Sequence, residues 1–352
     1  MKTVTVAASE QYEVLIGEGL SDAVGGLCAA VVPNGTVAVV SDSNVFPLYG
    51  ERVCQSLQTS GFRVETFVFP AGEQQKNLTT YGDLLHFLCE KELTRTDTLL
   101  ALGGGVVGDL TGFAAATYLR GIPFIGVPTS LLAMVDSSVG GKTAVDLDIG
   151  KNQVGCFYQP RRVICDPLTL GTLPDEQWAC GSAEVIKYGL LGNEPFFRAL
   201  DEKPMESWME EVIATCVSMK RDIVEQDEFE HGCRKLLNLG HSVGHAVETA
   251  SHYQILHGQA VAIGMAVITR AAVQKGICEP TVLEETERLL QQYGLPVATD
   301  FSAEELVKIM CNDKKRQGDW MQLVVPEQIG VCRVEKVPIG DLAEWLYAGG
   351  IR

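Results

Sequence analysis

Histidine is scarce in this chain, with six among 352 residues. Basic residues are outnumbered, 28 Lys and Arg against 45 Asp and Glu, for a formal net charge of −17. A protein that binds duplex nucleic acid presents a basic footprint to the phosphates, so this balance argues against such a partner. An anionic small molecule remains compatible only where a local group of Lys and Arg overrides the global field. Cysteines number 11, from Cys28 to Cys332, but the count is odd and no C-x-x-C pair occurs. That pattern speaks against a zinc ribbon or a disulfide framework, and reduced thiols in the cytoplasm are expected. No apolar run reaches the roughly 18 residues of a membrane span. The opening stretch MKTVTVAASEQYEVLIG lacks the apolar core of a signal peptide. Neither repeats nor low-complexity tracts occur.

What is present is a core-forming composition. Apolar residues make up 46% of the chain, and its length favours two domains. In the first half, 36–42, 62–70, 97–105 and 123–129 read as apolar strands. Residues 46–60, 77–92 and 106–118 between them have helical length and spacing. That alternation predicts a mostly parallel, Rossmann-like α/β sheet, with ligands at the carboxyl ends of its strands. The character changes near TLGTLPDEQW, where Pro174-Asp175-Glu176 opens a helix. Helical segments follow near 176–190, 206–227, 239–250, 257–275, 281–293 and 302–311, with a small hairpin near the end. The expected organisation is an α/β nucleotide-binding domain over 1–172 and a mainly helical domain over 173–352.

The sequence TLLALGGGVVGDLTGF places Gly103, Gly104, Gly105 and Gly108 between a strand and a helix, in a G-x-G-x-x-G pattern. Glycines let the backbone approach a pyrophosphate, and free N–H groups at the helix start face the anion. The acid that normally ends the next strand is missing, since that strand ends in VPTS. Asp42, ending TVAVVSD, is the alternative partner for a ribose hydroxyl.

Four of the histidines, His241, His245, His252 and His257, lie in LNLGHSVGHAVETASHYQILHGQAVAIGMA. His241 and His245 are i and i+4 and share a helix face, a spacing that suits one divalent metal. Candidates for a third ligand are His257, Glu248 and Glu184. Spacing alone leaves that choice open, and solvated or capping histidines are the bland alternative. Cations are also gathered locally. Residues 135–155, read as a Gly- and Ser-rich loop, carry Asp136, Lys142, Lys151 and Asn152. Lys187 follows Glu184 by one helical turn, and Arg120, Lys220, Arg234, Lys314 and Lys315 lie elsewhere. A carboxylate- and phosphate-bearing ligand needs several such donors. Neither Arg234 nor Lys314 is expected to brace the core.

GGGVVGDLTGF, VDSSVGGKTAVD, GKNQVG, AEVIKYG, NLGHSVGHAVE, LHGQAVAIGM and NDKKRQG, in this order, resemble the 3-dehydroquinate synthase family of sugar-phosphate cyclases. The resemblance runs from about residue 37 to the end. It implies conversion of 3-deoxy-D-arabino-heptulosonate 7-phosphate to 3-dehydroquinate and phosphate. The implied course is transient NAD oxidation, phosphate elimination, re-reduction, ring opening and aldol closure. It implies zinc, with cobalt as a substitute, on Glu184, His241 and His257. His245 is then a proton-handling group, and Glu248 stands behind the ligands or is structural. NAD would meet Asp42, Asn44, Glu73, Lys76, Gly104, Gly105, Val106 and Asp109. It would also meet Thr129, Ser130, Lys142, Lys151, Thr169 and Thr172. Catalytic roles fall to Lys142, Lys187, His245, Asn152 and Asp136. Substrate contacts fall to Lys220, Arg234, Asn238, His257 and Lys314, with Arg120 reaching the neighbouring site of a homodimer. Ala71, Ala144 and Asp146 depart from the family's usual residues, Ala144 and Asp146 standing where Gly and Asn are more common. None of these is expected to touch a catalytic group.

Overall fold

The computed structural model describes residues 1–148, 150–311, 316–317 and 319–352. Lys314 and Lys315 therefore lie outside the described residues. The chain forms two compact units, Met1–Pro174 with Met209–Phe229, and Asp175–Trp208 with Glu230–Arg352.

The first unit is built on strands β1 (Lys2–Ala7), β2 (Gln11–Ile16), β3 (Thr36–Asp42), β4 (Arg63–Phe69), β5 (Thr98–Gly103) and β6 (Phe124–Pro128). A hairpin of β7 (Lys142–Leu147) and β8 (Gly150–Phe157) follows, then β9 (Arg162–Cys165). Helices α1 (Val24–Ala29), α2 (Glu51–Thr59), α3 (Leu78–Glu90) and α4 (Gly105–Thr117) connect them. The main sheet runs β1-β2-β9-β6-β5-β3-β4, parallel except for β1 against β2. Its central strands are apolar throughout because both faces are covered. Ala38 and Val40 pack with Leu110 and Ala114 of α4, whereas Val37 and Val39 pack with Val53 and Leu57 of α2. β3 pairs with β4 on one side and β5 on the other, so a topological switch point lies between β3 and β5.

The stretch 135–155 is not the loop its glycines suggest. Gly140 and Gly141 turn the chain at positive φ, and β7 and β8 then pair antiparallel. A Cβ at Gly155 would overlap the Thr143 carbonyl across the hairpin, so this glycine serves close strand approach rather than a loop.

The second unit contains α5 (Asp175–Gly192), α6 (Glu194–Glu202), α8 (His241–Ala250), α9 (His257–Gln274), α10 (Pro280–Gln292), α11 (Ala303–Met310) and α12 (Leu342–Ala348). A small antiparallel sheet of β10 (Arg316–Gln317), β11 (Trp320–Gln328) and β12 (Val331–Pro338) completes it. The intervening helix α7 (Met209–Gln226) packs with β1 and β2 of the first unit. Sequence order hides that return. Among the described residues, no helix is long and apolar enough to cross a membrane.

Three helices of the second unit approach through glycine. A Cβ on Gly258 of α9 would overlap the Cys180 backbone of α5, and one on Gly264 would overlap the Gly240 carbonyl ahead of α8. The missing side chains bring α5, α8 and α9 to backbone contact, and each of these helices carries one candidate metal ligand.

Candidate active site

Glu184 of α5 is fully buried, and Lys187, one turn on, is 1% exposed. The Lys187 Nζ lies 2.5 Å from Glu184 Oε2. The other carboxylate oxygen faces His241 Nε2 at 3.4 Å and His257 Nε2 at 3.3 Å. One donor atom from each of Glu184, His241 and His257 falls within 4.8 Å of the others. The second nitrogen of each ring is engaged away from this point. His241 Nδ1 is 3.0 Å from the Leu239 carbonyl, and His257 Nδ1 is 3.3 Å from Glu248 Oε2. Such partners orient a ligating imidazole by accepting its N–H, which leaves the lone pair of the opposite nitrogen facing the donor group.

Burial alone would lower the His257 pKa, but hydrogen bonds to Glu184 and Glu248 outweigh it and push it up to about 10. Glu184 and Glu248, both buried, face opposite nitrogens of the His257 ring. One carboxylate and two imidazoles form a donor set that could hold a divalent ion such as zinc or cobalt.

The histidine cluster divides. Among the described residues, His241 falls in one donor group with Glu184 and His257, and His245 in a second with Glu248 and His257, so the two i,i+4 histidines share no donor group. His245 stands beside the trio, its ring 5.4 Å from that of His241 and 6.0 Å from that of His257. His252 is exposed in the turn between α8 and α9, at φ 51°. Arg234 is 1% exposed and among the largest fully buried side chains, which corrects the expectation that it does not brace the core. Asn238 donates through Nδ2 to Glu230 Oε1 at 2.9 Å.

In the first unit, Asp42 ends β3 beside the end of β5, since Ser41 pairs with Leu102. Its Oδ1 accepts from the backbone N–H groups of Asn44 and Val45 at 2.8 and 2.9 Å. Gly104 caps α4, and Thr129 N donates to the Gly103 carbonyl at 3.0 Å. A Cβ at Gly104 or Gly105 would abut Ser130 Oγ or Ser137 Oγ. The contact at Gly105 would be tight and that at Gly104 ordinary, and backbone N–H groups at a helix start of this kind can face an anion. Gly104, Asp109, Ser137 and Lys142 line one cavity there. Thr169 and Thr172 sit on a turn tied to Tyr49, whose hydroxyl donates to the Thr169 carbonyl and lies 2.5 Å from Thr172 Oγ1.

Lys76 is buried with Nζ at 2.9 Å from Glu73, 3.3 Å from Asp109 and 3.8 Å from Asp146. Burial would lower its pKa, but the three acids outweigh that and raise it. Burial raises Asp109 more than Lys76 lowers it, to about 6. Lys151 reaches the same Glu73 oxygen at 3.6 Å. Asp146 also accepts from the backbone N–H of Asn152 at 2.7 Å, and Asn152 has φ 53°. This departure thus touches two predicted site residues, contrary to expectation, through a fold-over of the hairpin that spacing does not reveal. Lys220 lies 2.5 Å from Asp136 Oδ1 and donates to the Asp136 carbonyl at 2.7 Å. Arg120 is exposed at φ 67° in the turn after α4.

Residues 66–180 match the 3-dehydroquinate synthase N-terminal family and residues 181–316 the 3-dehydroquinate synthase C-terminal family. The chain is 40% identical to 3-dehydroquinate synthase of Enterococcus faecalis (strain ATCC 47077 / OG1RF), covering 99% of both chains. It is 42% identical to that of Desulforamulus reducens, covering 96% of each. Among solved structures, 2-epi-5-epi-valiolone synthase from Streptomyces hygroscopicus, with NAD+ and Zn2+ bound, superposes with TM-score 0.88 at 26% identity over 99% of both chains. A 2-deoxy-scyllo-inosose synthase complexed with carbaglucose-6-phosphate, NAD+ and Co2+ gives 0.87 at 25% identity, over 98% of this chain and 99% of that one. From both family matches and relatives spanning nearly its whole length, the chain belongs to the 3-dehydroquinate synthase family.

Proposed function

We propose that this chain converts 3-deoxy-D-arabino-heptulosonate 7-phosphate to 3-dehydroquinate and phosphate, using NAD and a divalent metal, zinc with cobalt as a substitute. The observation that carries this reading is the Glu184–His241–His257 donor group, with Glu184 and His241 buried and Lys187 against Glu184. When bound, NAD and the metal supply a reversible oxidation of the substrate's C5 alcohol, with the metal acidifying that hydroxyl.

The chain's own residues bind, orient and move protons. Glu184, His241 and His257 hold the ion. Asp42, Asn44, Glu73, Lys76, Asp109, Lys142 and Lys151 hold NAD. The start of α4 at Gly104, Gly105 and Val106, with Thr129, Ser130, Thr169 and Thr172, completes that set. Substrate contacts fall to Asp136, Lys142, Asn152, Lys187, Lys220, Arg234, Asn238 and His257. Lys187 and Lys220 are each pinned by an acid, which fixes their ammonium groups before the ligand arrives. His245 stands outside the ligand group, beside two of its members, and carries a proton to and from the substrate. The substrate's own phosphate serves as a further local base. Lys314 is assigned to the substrate carboxylate. Arg120 reaches the phosphate in a neighbouring protomer's site, making the working form a cytoplasmic homodimer with a biosynthetic role toward aromatic amino acids.

A cyclase acting on a sugar phosphate without a carboxylate is the second reading, favoured by the fold likeness to the inosose synthase. A polyol dehydrogenase is a third. Incubation with the heptulosonate phosphate and substoichiometric NAD tests the primary reading. Phosphate is expected to appear over many turnovers per NAD without NADH accumulating. NADH rising in step with product would mean a dehydrogenase.

A further inference from the structure

Glu248 is a carboxylate 2% exposed, near the end of α8. Its Oε2 lies 3.3 Å from His257 Nδ1, and the Nε2 of the same ring lies 3.3 Å from Glu184 Oε1. A neutral imidazole has one N–H and one lone pair. With the hydrogen on Nδ1, donated to Glu248, the Nε2 lone pair points toward Glu184 and His241. The opposite tautomer would put an N–H there and remove His257 as a ligand. His241 is served in the same way by the Leu239 carbonyl, which can only accept.

Glu248 is itself held in place. Its backbone carbonyl accepts from Tyr253 N and Ser251 Oγ, both at 2.8 Å. Those bonds close the turn that carries the chain from Glu248 back to His257. Within that turn, His252 and Tyr253 both take positive φ, at 51° and 61°. A turn held in a sparsely populated backbone conformation by its own hydrogen bonds delivers His257 to one place.

We propose that Glu248 is a positioning residue that selects the tautomer and ring orientation of His257, and so sets how tightly the ion is held. This rests on the metal reading above. A rival role exists, because donor atoms of His245, Glu248 and His257 also fall within 4.8 Å of one another, so Glu248 is placed to ligate directly. The two roles differ in what glutamine can replace. Gln accepts the Nδ1–H bond but is a poor ligand, whereas Leu does neither.

Zinc affinity is measured on the full-length chain by competition with a chromophoric chelator, for wild type, Glu248→Gln, Glu248→Leu and His257→Ala. The visible bands of each cobalt-loaded protein are recorded alongside. Positioning predicts zinc binding weaker by about tenfold in Glu248→Gln and about a hundredfold in Glu248→Leu. The cobalt bands of Glu248→Gln should match wild type, because the ligands are unchanged. Gln matches Glu in size, so that variant keeps the test open if Glu248→Leu fails to fold. Zinc lost from Glu248→Gln as fully as from His257→Ala, with altered cobalt bands, would make Glu248 a ligand and overturn the inference. Wild-type affinity in both Glu248 variants would overturn it as well, leaving the metal site intact. A wild-type chain that binds neither ion would remove the metal reading and this inference together.

Discussion

His257→Ala is expected to purify without its ion and to turn over the heptulosonate phosphate at least about a thousandfold more slowly. A metal acting as a Lewis acid contributes several kcal/mol to the transition state, and about 1.4 kcal/mol corresponds to tenfold. The His257 side chain is about one-third exposed, at 32%, and opens α9, so its loss leaves no core cavity. Circular dichroism should therefore show an intact fold. Chelation of wild type should reproduce the loss, and zinc should reverse it only in wild type. His245→Ala should behave differently, keeping the ion and slowing turnover, because His245 lies outside the Glu184–His241–His257 group. Metal content lost in His245→Ala and kept in His257→Ala would reverse the assignment.

Lys220→Met is expected to cut kcat/KM on the heptulosonate phosphate by roughly 30-fold to several thousand-fold, and Arg234→Lys to lower it as well. Removing one member of a buried charged pair costs about 2–5 kcal/mol. Lys220 is buried against Asp136, and Arg234 is buried outright. Both side chains are too enclosed for an informative truncation to alanine. Met fills the Lys220 site without its charge, and Lys keeps the charge at 234 without the planar fork that grips a carboxylate. Near-normal efficiency in both variants, with both folded, would take these cations out of substrate binding.

These sites were only partly legible in the sequence. β3 to β6 announce themselves because strands covered on both faces are apolar throughout. The 142–157 hairpin does not, because Gly155, needed for close strand approach, reads as a loop residue. The return of α7 to the first unit is decided by packing, which no local pattern records. The i,i+4 spacing of His241 and His245 pointed to a shared metal, but ligand choice depends on where three helices cross. Gly258 and Gly264 set that crossing. The buried state of Lys76, Lys187 and Lys220 was equally hidden. A lysine reads as solvated until its acid is found, and Asp109 and Asp136 lie far from their lysines in sequence. Spacing left the ligand set open, and only resemblance to a family implied one.

The most direct test of the central claim offers wild type the two substrates separately, each with catalytic NAD and zinc, and follows phosphate release and the carbocyclic product. The account predicts rapid, NADH-silent conversion of the heptulosonate phosphate to 3-dehydroquinate, and little or no cyclisation of glucose 6-phosphate. Equal or faster cyclisation of glucose 6-phosphate would contradict it and make the chain an inosose-type cyclase.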